Sequence, residues 1–422
     1  MEALEIHGPT RLSGSVEIGG AKNAALPCLA ASLLTEERLT LSRLPRVRDI
    51  RTMLRLLEEL GVESSAEGTT ARLEGPSGTQ ADSAPYDLVK TMRASVLVLG
   101  PLVARLGHAR VSLPGGCAIG VRPIDQHLAG LSALGADVTL EHGYVTARAE
   151  RLTGARFRFA APTVTGTENL MMAASLARGE TVLENCACEP EIVDLADLLR
   201  KMGAAIEGDG TPTQRIGGVD GLGAAEHTVI ADRIEGGTYL LAAAMTGGDV
   251  EAHGVDPGAL APLLEKLLDC GCRIDVEGDT IRLRREGAIR PRDVVTAPYP
   301  GFATDLQAQY LALMTQADGS STICETVFEN RFQHVPELNR MGASIEVDGS
   351  YARVQGPTPL SGAAVMATDL RASASLVLAG LAATGTTRVD RIYHLDRGYE
   401  AMEEKLRRLG ARVERIPTPR PG

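Results

Sequence analysis

The run LLEELGVES at residues 56–64 reads as the end of an amphipathic helix, a glycine stop and the first residues of a strand. Glycine takes the left-handed conformation that closes a helix, and alternation after it suits a half-buried strand. The phrase returns five times, as GLSALGADV (130–138), LLRKMGAAI (198–206), LLDCGCRID (267–275), ELNRMGASI (337–345) and KLRRLGARV (405–413). The stop glycines are Gly61, Gly135, Gly203, Gly271, Gly342 and Gly410, spaced 74, 68, 68, 71 and 68 residues apart. So regular a period means one supersecondary unit used six times.

A second phrase keeps step with the first: GAKNAALPCLAASLLT (20–35), RASVLVLGPLVARLG (93–107), GTENLMMAASLARG (166–179), GGTYLLAAAMTGG (236–248), TDLQAQYLALMTQADG (304–319) and RASASLVLAGLAATG (371–385). Each is apolar nearly all round and ends at a helix stop, the pattern of a helix buried on every side. The expected class is α/β, each repeat holding a buried helix, a strand, an amphipathic helix ending at glycine, and further strands.

At 422 residues and 44% hydrophobic content the chain can build two or more cores. A formal charge of −11, aromatics at 3% and no Trp argue against nucleic acid as a partner, since a phosphate polymer needs clustered cations and stacking platforms. The longest apolar runs, such as SLVLAGLAA at 375–383, are too short to span a membrane. The first twenty residues are charged throughout and hold no apolar run, so a cytoplasmic location is expected. Seven cysteines, an odd number, suggest reduced thiols.

The pairs Cys186/Cys188 and Cys270/Cys272 raise the question of zinc, but structural zinc pairs usually have two or more intervening residues. The repeat answers it for the second pair. Cys270 takes the slot of Leu60, Leu134, Met202, Met341 and Leu409, and Cys272 that of Val62 and four alanines, so both are packing positions. Cys28 lies in a buried phrase, and Cys186, Cys188 and Cys324 lie on or just after the following strand. Core roles are expected for these. Cys117, in PGGCAIGVRPID (114–125), has no such slot. From the strand residue to the stop glycine the count is 20 in the first and third repeats (Leu41 to Gly61, Leu183 to Gly203) but 22 in the second (Leu113 to Gly135). An insertion that carries a thiol between a diglycine and an arginine reads as a chemical loop.

Three buried phrases open on a cation, Lys22, Arg93 and Arg371, where the positive end of the helix dipole disfavours one unless an anion lies between. With five lysines against thirty-eight arginines, Lys22 stands where Arg is the compositional default, so a point ammonium is wanted there. On this reading Lys22→Ala lowers activity and leaves fold stability little changed. Arg122, Arg331 and Arg397 follow in loops, although most arginines in such a chain are surface residues. Asp305 and Asp369 are repeat-equivalent, in TDLQA and TDLRA. An Asp beside a helix start is first an N-cap, and a catalytic base fits the same place. No dinucleotide or ATP phrase is present.

GGAKNAALP, KTMRASVLVLGPL, PGGCAIGVRPID, GTENLMMAA, EPEIVDLA, TDLQAQ, TVFENRF, ATDLRASASLVLAG and YHLDRGYE, in order from residue 19 to 400, together resemble the enolpyruvyl transferase family, in the branch that opens peptidoglycan precursor synthesis. The resemblance implies a two-domain inside-out α/β barrel, three repeats per domain. Residues 21–231 would carry the cysteine loop and residues 1–20 with 232–422 would form the second domain, joined by a double crossover, with the active site between them. It implies transfer of the enolpyruvyl group of phosphoenolpyruvate to the 3′-hydroxyl of UDP-N-acetylglucosamine with release of phosphate through a tetrahedral ketal, and no cofactor or metal. By similarity Cys117 is the mobile thiol that adds to phosphoenolpyruvate and the site of fosfomycin attack. Lys22, Arg122 and Arg397 would hold the phosphate, with Arg93, Arg331 and Arg371 completing the basic lining. Asp305 would face the attacking hydroxyl and Asp369 would be the second acid. Asn23 would contact the sugar and Arg122, Pro123, Ile124, Asp125 and Gln126 the uridine, with Val164 and Val327 as further substrate contacts. Two alternatives remain: the sister enzymes acting on shikimate 3-phosphate, and a silent paralogue that binds the nucleotide without turnover.

Overall fold

The computed structural model describes residues 2–77, 83–84, 89, 92–113 and 124–418. All six stop glycines have positive φ, from 84° at Gly61 to 107° at Gly203. Behind each, the next residue's N–H reaches back to the helix, as from Val62 to Leu57 O (2.9 Å) and from Ala411 to Leu406 O (3.0 Å). That closing bond needs the left-handed glycine, which is why the phrase is so regular. Cys270 and Cys272 lie buried at their packing positions.

Each repeat ends in a four-stranded sheet of one pattern. In the first, Ala225–Thr228 runs parallel to Arg38–Ser42, which pairs antiparallel with Thr70–Glu74, which pairs antiparallel with Glu63–Glu67. Four more sheets repeat this order. In the sixth the third place is taken by Glu2–Gly8, lying between Gly385–Asp390 and Arg412–Pro417, so the two ends of the chain share a sheet.

The described residues fall into two compact units, one of residues 20–230 and the other of residues 2–19 and 231–418. In the first, the helices Lys22–Ala30, Leu99–Leu106 and Val164–Ala174 pack together. In the second, Arg233–Thr246, Gln307–Met314 and Leu370–Ala382 do the same. Nearly every side chain of these helices is buried, and each unit has its own core. The phrase at 93–107 is not one helix: a 3-10 stretch, Arg93–Val98, precedes Leu99–Leu106. Pro101 has no N–H to return to residue 97, so an unbroken α-helical ladder cannot cross that point. At 304–319 a 3-10 turn, Thr304–Leu306, likewise precedes Gln307–Met314.

Candidate active site

Several of the predicted site residues lie at or just before the N-termini of buried helices. In the first unit Lys22 begins its helix and is buried, whereas Asn23 beside it is exposed. Lys22 Nζ lies 3.2 Å from Asp49 Oδ2, in the first turn of the helix Arg48–Glu59. The anion that such a cation requires is therefore supplied, in part, by the protein itself. This changes the expectation that removing Lys22 leaves stability untouched, because a buried carboxylate would lose a partner.

Arg93 opens its 3-10 stretch half-buried. It bears on His127, whose pKa falls to about 3 through burial first and the nearby Arg93 charge second. His127 Nδ1 is 3.1 Å from Asn169 Nδ2, and Asn169 Oδ1 accepts from the Gly100 N–H at 2.8 Å. Since that amide nitrogen can only donate, Nδ1 accepts and the Nε2 proton points to Thr165 Oγ1, 3.2 Å away. Ile124 is buried, and Asp125 and Gln126 begin the next helix, Asp125–Ala133. Gln126 Oε1 accepts from the N–H of Ala160 (2.7 Å) and Ala161 (3.3 Å), pinning the approach to Val164, the first residue of its helix. Cys117, Arg122 and Pro123 lie outside the described residues.

The second unit carries the denser cluster. Asp305 sits in the 3-10 turn Thr304–Leu306. Its Oδ1 accepts from Arg331 Nη2 at 2.6 Å, and its Oδ2 from Arg371 Nη2 at 3.0 Å and Nε at 3.2 Å. Burial alone would raise the Asp305 pKa, but Arg371 and Arg331 together hold it well below the usual carboxylate range. Both arginines are almost fully buried, and Arg331 Nε and Arg371 Nη1 have no hydrogen-bond acceptor among the described residues. Both of these nitrogens are buried. Asp369 is the N-cap of Leu370–Ala382, accepting from the N–H groups of Arg371 (2.8 Å) and Ala372 (3.0 Å). The N-cap reading of Asp369 is therefore correct, and the cap sets where Arg371 leaves the helix. Val327 donates its N–H to Glu325 Oε1 at 2.8 Å. Arg397 ends the 3-10 turn Leu395–Arg397, half-buried.

Sequence reading missed Glu325, Thr304, His127 and His334. Each stands within a quoted phrase or beside one, but burial gives a polar residue its meaning and a single sequence does not display burial. Among the described residues one group has metal-ligand chemistry: Cys28, Asp194 and His227, buried, with ligand atoms within 4.8 Å of one another. Lys201 Nζ lies 3.1 Å from His227 Nδ1, so Nδ1 accepts and Nε2 carries its proton toward Asp194 Oδ1, 2.9 Å away. Burial and Asp194 push the Cys28 thiol well up, against the thiolate that a metal needs. The cluster closes on its own hydrogen bonds as a core network.

The chain is similar to known proteins over nearly its whole length. The sequence profile of the family described as EPSP synthase (3-phosphoshikimate 1-carboxyvinyltransferase) matches residues 6–406. A solved structure of the enolpyruvyl transferase NikO from Streptomyces tendae aligns with a TM-score of 0.89 at 29% identity, covering 99% of each chain. EPSP synthase from Acinetobacter baumannii aligns at a TM-score of 0.75 and 17% identity over 99% of this chain and 100% of that one, a likeness of fold alone. A UDP-N-acetylglucosamine 1-carboxyvinyltransferase of Koribacter versatilis (strain Ellin345) is 57% identical over 422 residues, 99% of this chain and 97% of that protein. Another of the same name, from Desulfosudis oleivorans (strain DSM 6200 / JCM 39069 / Hxd3), is 56% identical over 416 residues, 99% of this chain and 100% of that protein. The chain belongs to the enolpyruvyl (1-carboxyvinyl) transferase family, with the six-repeat α/β fold expected of it. No helix among the described residues is long and apolar enough to cross a membrane.

Proposed function

We propose that this chain transfers the enolpyruvyl group of phosphoenolpyruvate to the 3′-hydroxyl of UDP-N-acetylglucosamine, releasing phosphate, in the cytoplasm. The observation that carries the reading is the Asp305 carboxylate held between Arg331 and Arg371. In the addition step a proton joins C3 of the enol and the sugar oxygen bonds to C2. In the elimination step the C2–O bond to phosphate breaks as a proton leaves C3, giving the enol ether and inorganic phosphate.

A carboxylate clamped by two cations is a weak base, so Asp305 needs the clamp to loosen before it can take the hydroxyl proton. An incoming anion that shares the two guanidinium groups does this, which couples donor binding to acceptor activation. Lys22 and Arg397, with Arg122, are the proposed phosphate holders, and Arg93 completes the basic lining with Arg331 and Arg371. Asp369 is the proposed second acid, and Cys117 the thiol open to addition and to fosfomycin. Asn23, the segment from Arg122 to Gln126, Val164 and Val327 are proposed contacts of the sugar nucleotide. Cations fixed before substrate arrives stabilise the charge that develops at the phosphate without reorganising.

The test is phosphate release from phosphoenolpyruvate with UDP-N-acetylglucosamine, with shikimate 3-phosphate, and with neither. Release dependent on the sugar nucleotide supports the reading. Release only with shikimate 3-phosphate assigns the sister activity, and no release with either acceptor assigns a binding protein.

A further inference from the structure

Glu325 is a buried carboxylate directly after the strand Gly319–Cys324. Its Oε1 accepts from Thr296 Oγ1 (2.9 Å), from the Val327 N–H (2.8 Å) and from the Phe328 N–H (3.1 Å). Its Oε2 accepts from Thr304 Oγ1 at 2.8 Å. A hydroxyl has one proton, and that of Thr304 is committed to Glu325, so Thr304 shows a lone pair to its other neighbour. That neighbour is Arg331, whose Nη1 donates to Thr304 Oγ1 at 2.8 Å while its Nη2 donates to Asp305.

We infer that Glu325 and Thr304 form a positioning relay that sets the Arg331 guanidinium, and through it the Asp305 carboxylate, for the reaction. The inference rests on the assignment of Asp305 and Arg331 to the active site. One carboxylate ties together two stretches distant in sequence: the turn Thr304–Leu306 and the segment 327–331 that ends at Arg331. Without the Thr304 hydroxyl, Arg331 keeps one anchored nitrogen of the two and can swing about its bond to Asp305. The Phe328 ring centroid lies 5.1 Å from the Arg331 guanidinium carbon, so the ring packs against that group. With a glutamine in place of Glu325, the amide would turn an N–H toward Thr304, and the hydroxyl proton would lose its acceptor. Neither Glu325 nor Thr304 needs to touch substrate for this.

The experiment compares Thr304→Val, Thr304→Ser and Glu325→Gln with wild type and with Asp305→Asn, measuring kcat and KM for phosphoenolpyruvate and thermal midpoints. Valine matches threonine in shape and removes only the hydroxyl, whereas serine keeps it. The expected result is a fall in kcat/KM of about tenfold to a hundredfold in Thr304→Val, recovery to within about threefold in Thr304→Ser, and an intermediate loss in Glu325→Gln. Should Glu325→Gln fail to fold, the valine–serine contrast decides alone. Wild-type kinetics in Thr304→Val with an inactive Asp305→Asn overturns the relay and leaves the site assignment standing. Equal losses in valine and serine variants also overturn it. Full activity in Asp305→Asn overturns the site assignment itself.

Discussion

Lys22 Nζ and Asp49 Oδ2 lie 3.2 Å apart, with both side chains buried, at the start of the helix that opens the first repeat. This pair serves the fold, and in the proposed reaction the same ammonium serves the phosphate. Removing one member of a buried pair costs about 3–5 kcal/mol, and Lys22→Met is expected near the lower end because Asp49 has other interactions. The double variant Lys22→Met/Asp49→Asn should recover about 1–3 kcal/mol of that loss. Urea denaturation of the four proteins measures it. Activity should separate from stability: if Lys22 holds phosphate, kcat/KM stays low by about 2–4 kcal/mol of transition-state stabilisation even in the double variant. Restored turnover there would confine Lys22 to structure.

Asp305 is shared as counter-charge by Arg331 and Arg371, both buried. Asp305→Asn should lower kcat by about a hundredfold or more through loss of the base. It should also lower the thermal midpoint, since two guanidinium groups lose their counter-charge. Millimolar phosphate should raise the midpoint of this variant more than that of wild type, by binding the freed arginines in the folded state. An equal shift in both proteins would mean that the two arginines do not form an anion site.

Of the seven cysteines, Cys28, Cys186, Cys270, Cys272 and Cys324 are buried and Cys188 is half-buried. Burial pushes the Cys186 and Cys272 thiols up to about 12 and raises Cys28, Cys188 and Cys270 as well. Thiolate chemistry at neutral pH is disfavoured at all five. Fosfomycin, and iodoacetamide at limiting dose, should therefore modify Cys117 first, as read by peptide mass mapping. Labelling at Cys188 with Cys117 untouched would remove the thiol from the proposed mechanism.

His127 and His334 are held neutral by burial, with pKa values of about 3 and about 4 against an ordinary 6.5. The unfolded chain takes up these protons below about pH 6.5 and the folded one does not. Their contribution is full above pH 6.5 and is lost as pH falls toward 4 and then 3. Glu168 works the other way, its carboxyl raised well above the usual range by burial and by Glu191 and Glu189. A difference between variants isolates the histidines. His334 has no hydrogen-bond partner on either ring nitrogen among the described residues, so His334→Leu removes no bond. Its unfolding free energy should fall less than that of wild type between pH 7 and pH 5, in urea titrations. Parallel curves would show that His334 takes up its proton in the folded state as readily as in the unfolded chain.

The sixfold recurrence was legible without coordinates because helix stops and buried helices are local matters: glycine for a left-handed cap, apolar residues on every face. The cations at 22, 93 and 371 and the acids at 305 and 369 were legible too, since their positions relative to helix starts repeat with the period. Their partners were not. Lys22 meets Asp49, 27 residues on, by packing within the first repeat, and Asp305 meets Arg371, 66 residues on, by packing between repeats, and no local pattern encodes either contact. Asp369 looked like the equal of Asp305, yet one caps its helix and the other bridges two arginines. Glu325 and Thr304 carry no local signal at all. A threonine before an aspartate is ordinary until a buried carboxylate takes its proton and an arginine its lone pair, and only the tertiary structure brings those three together.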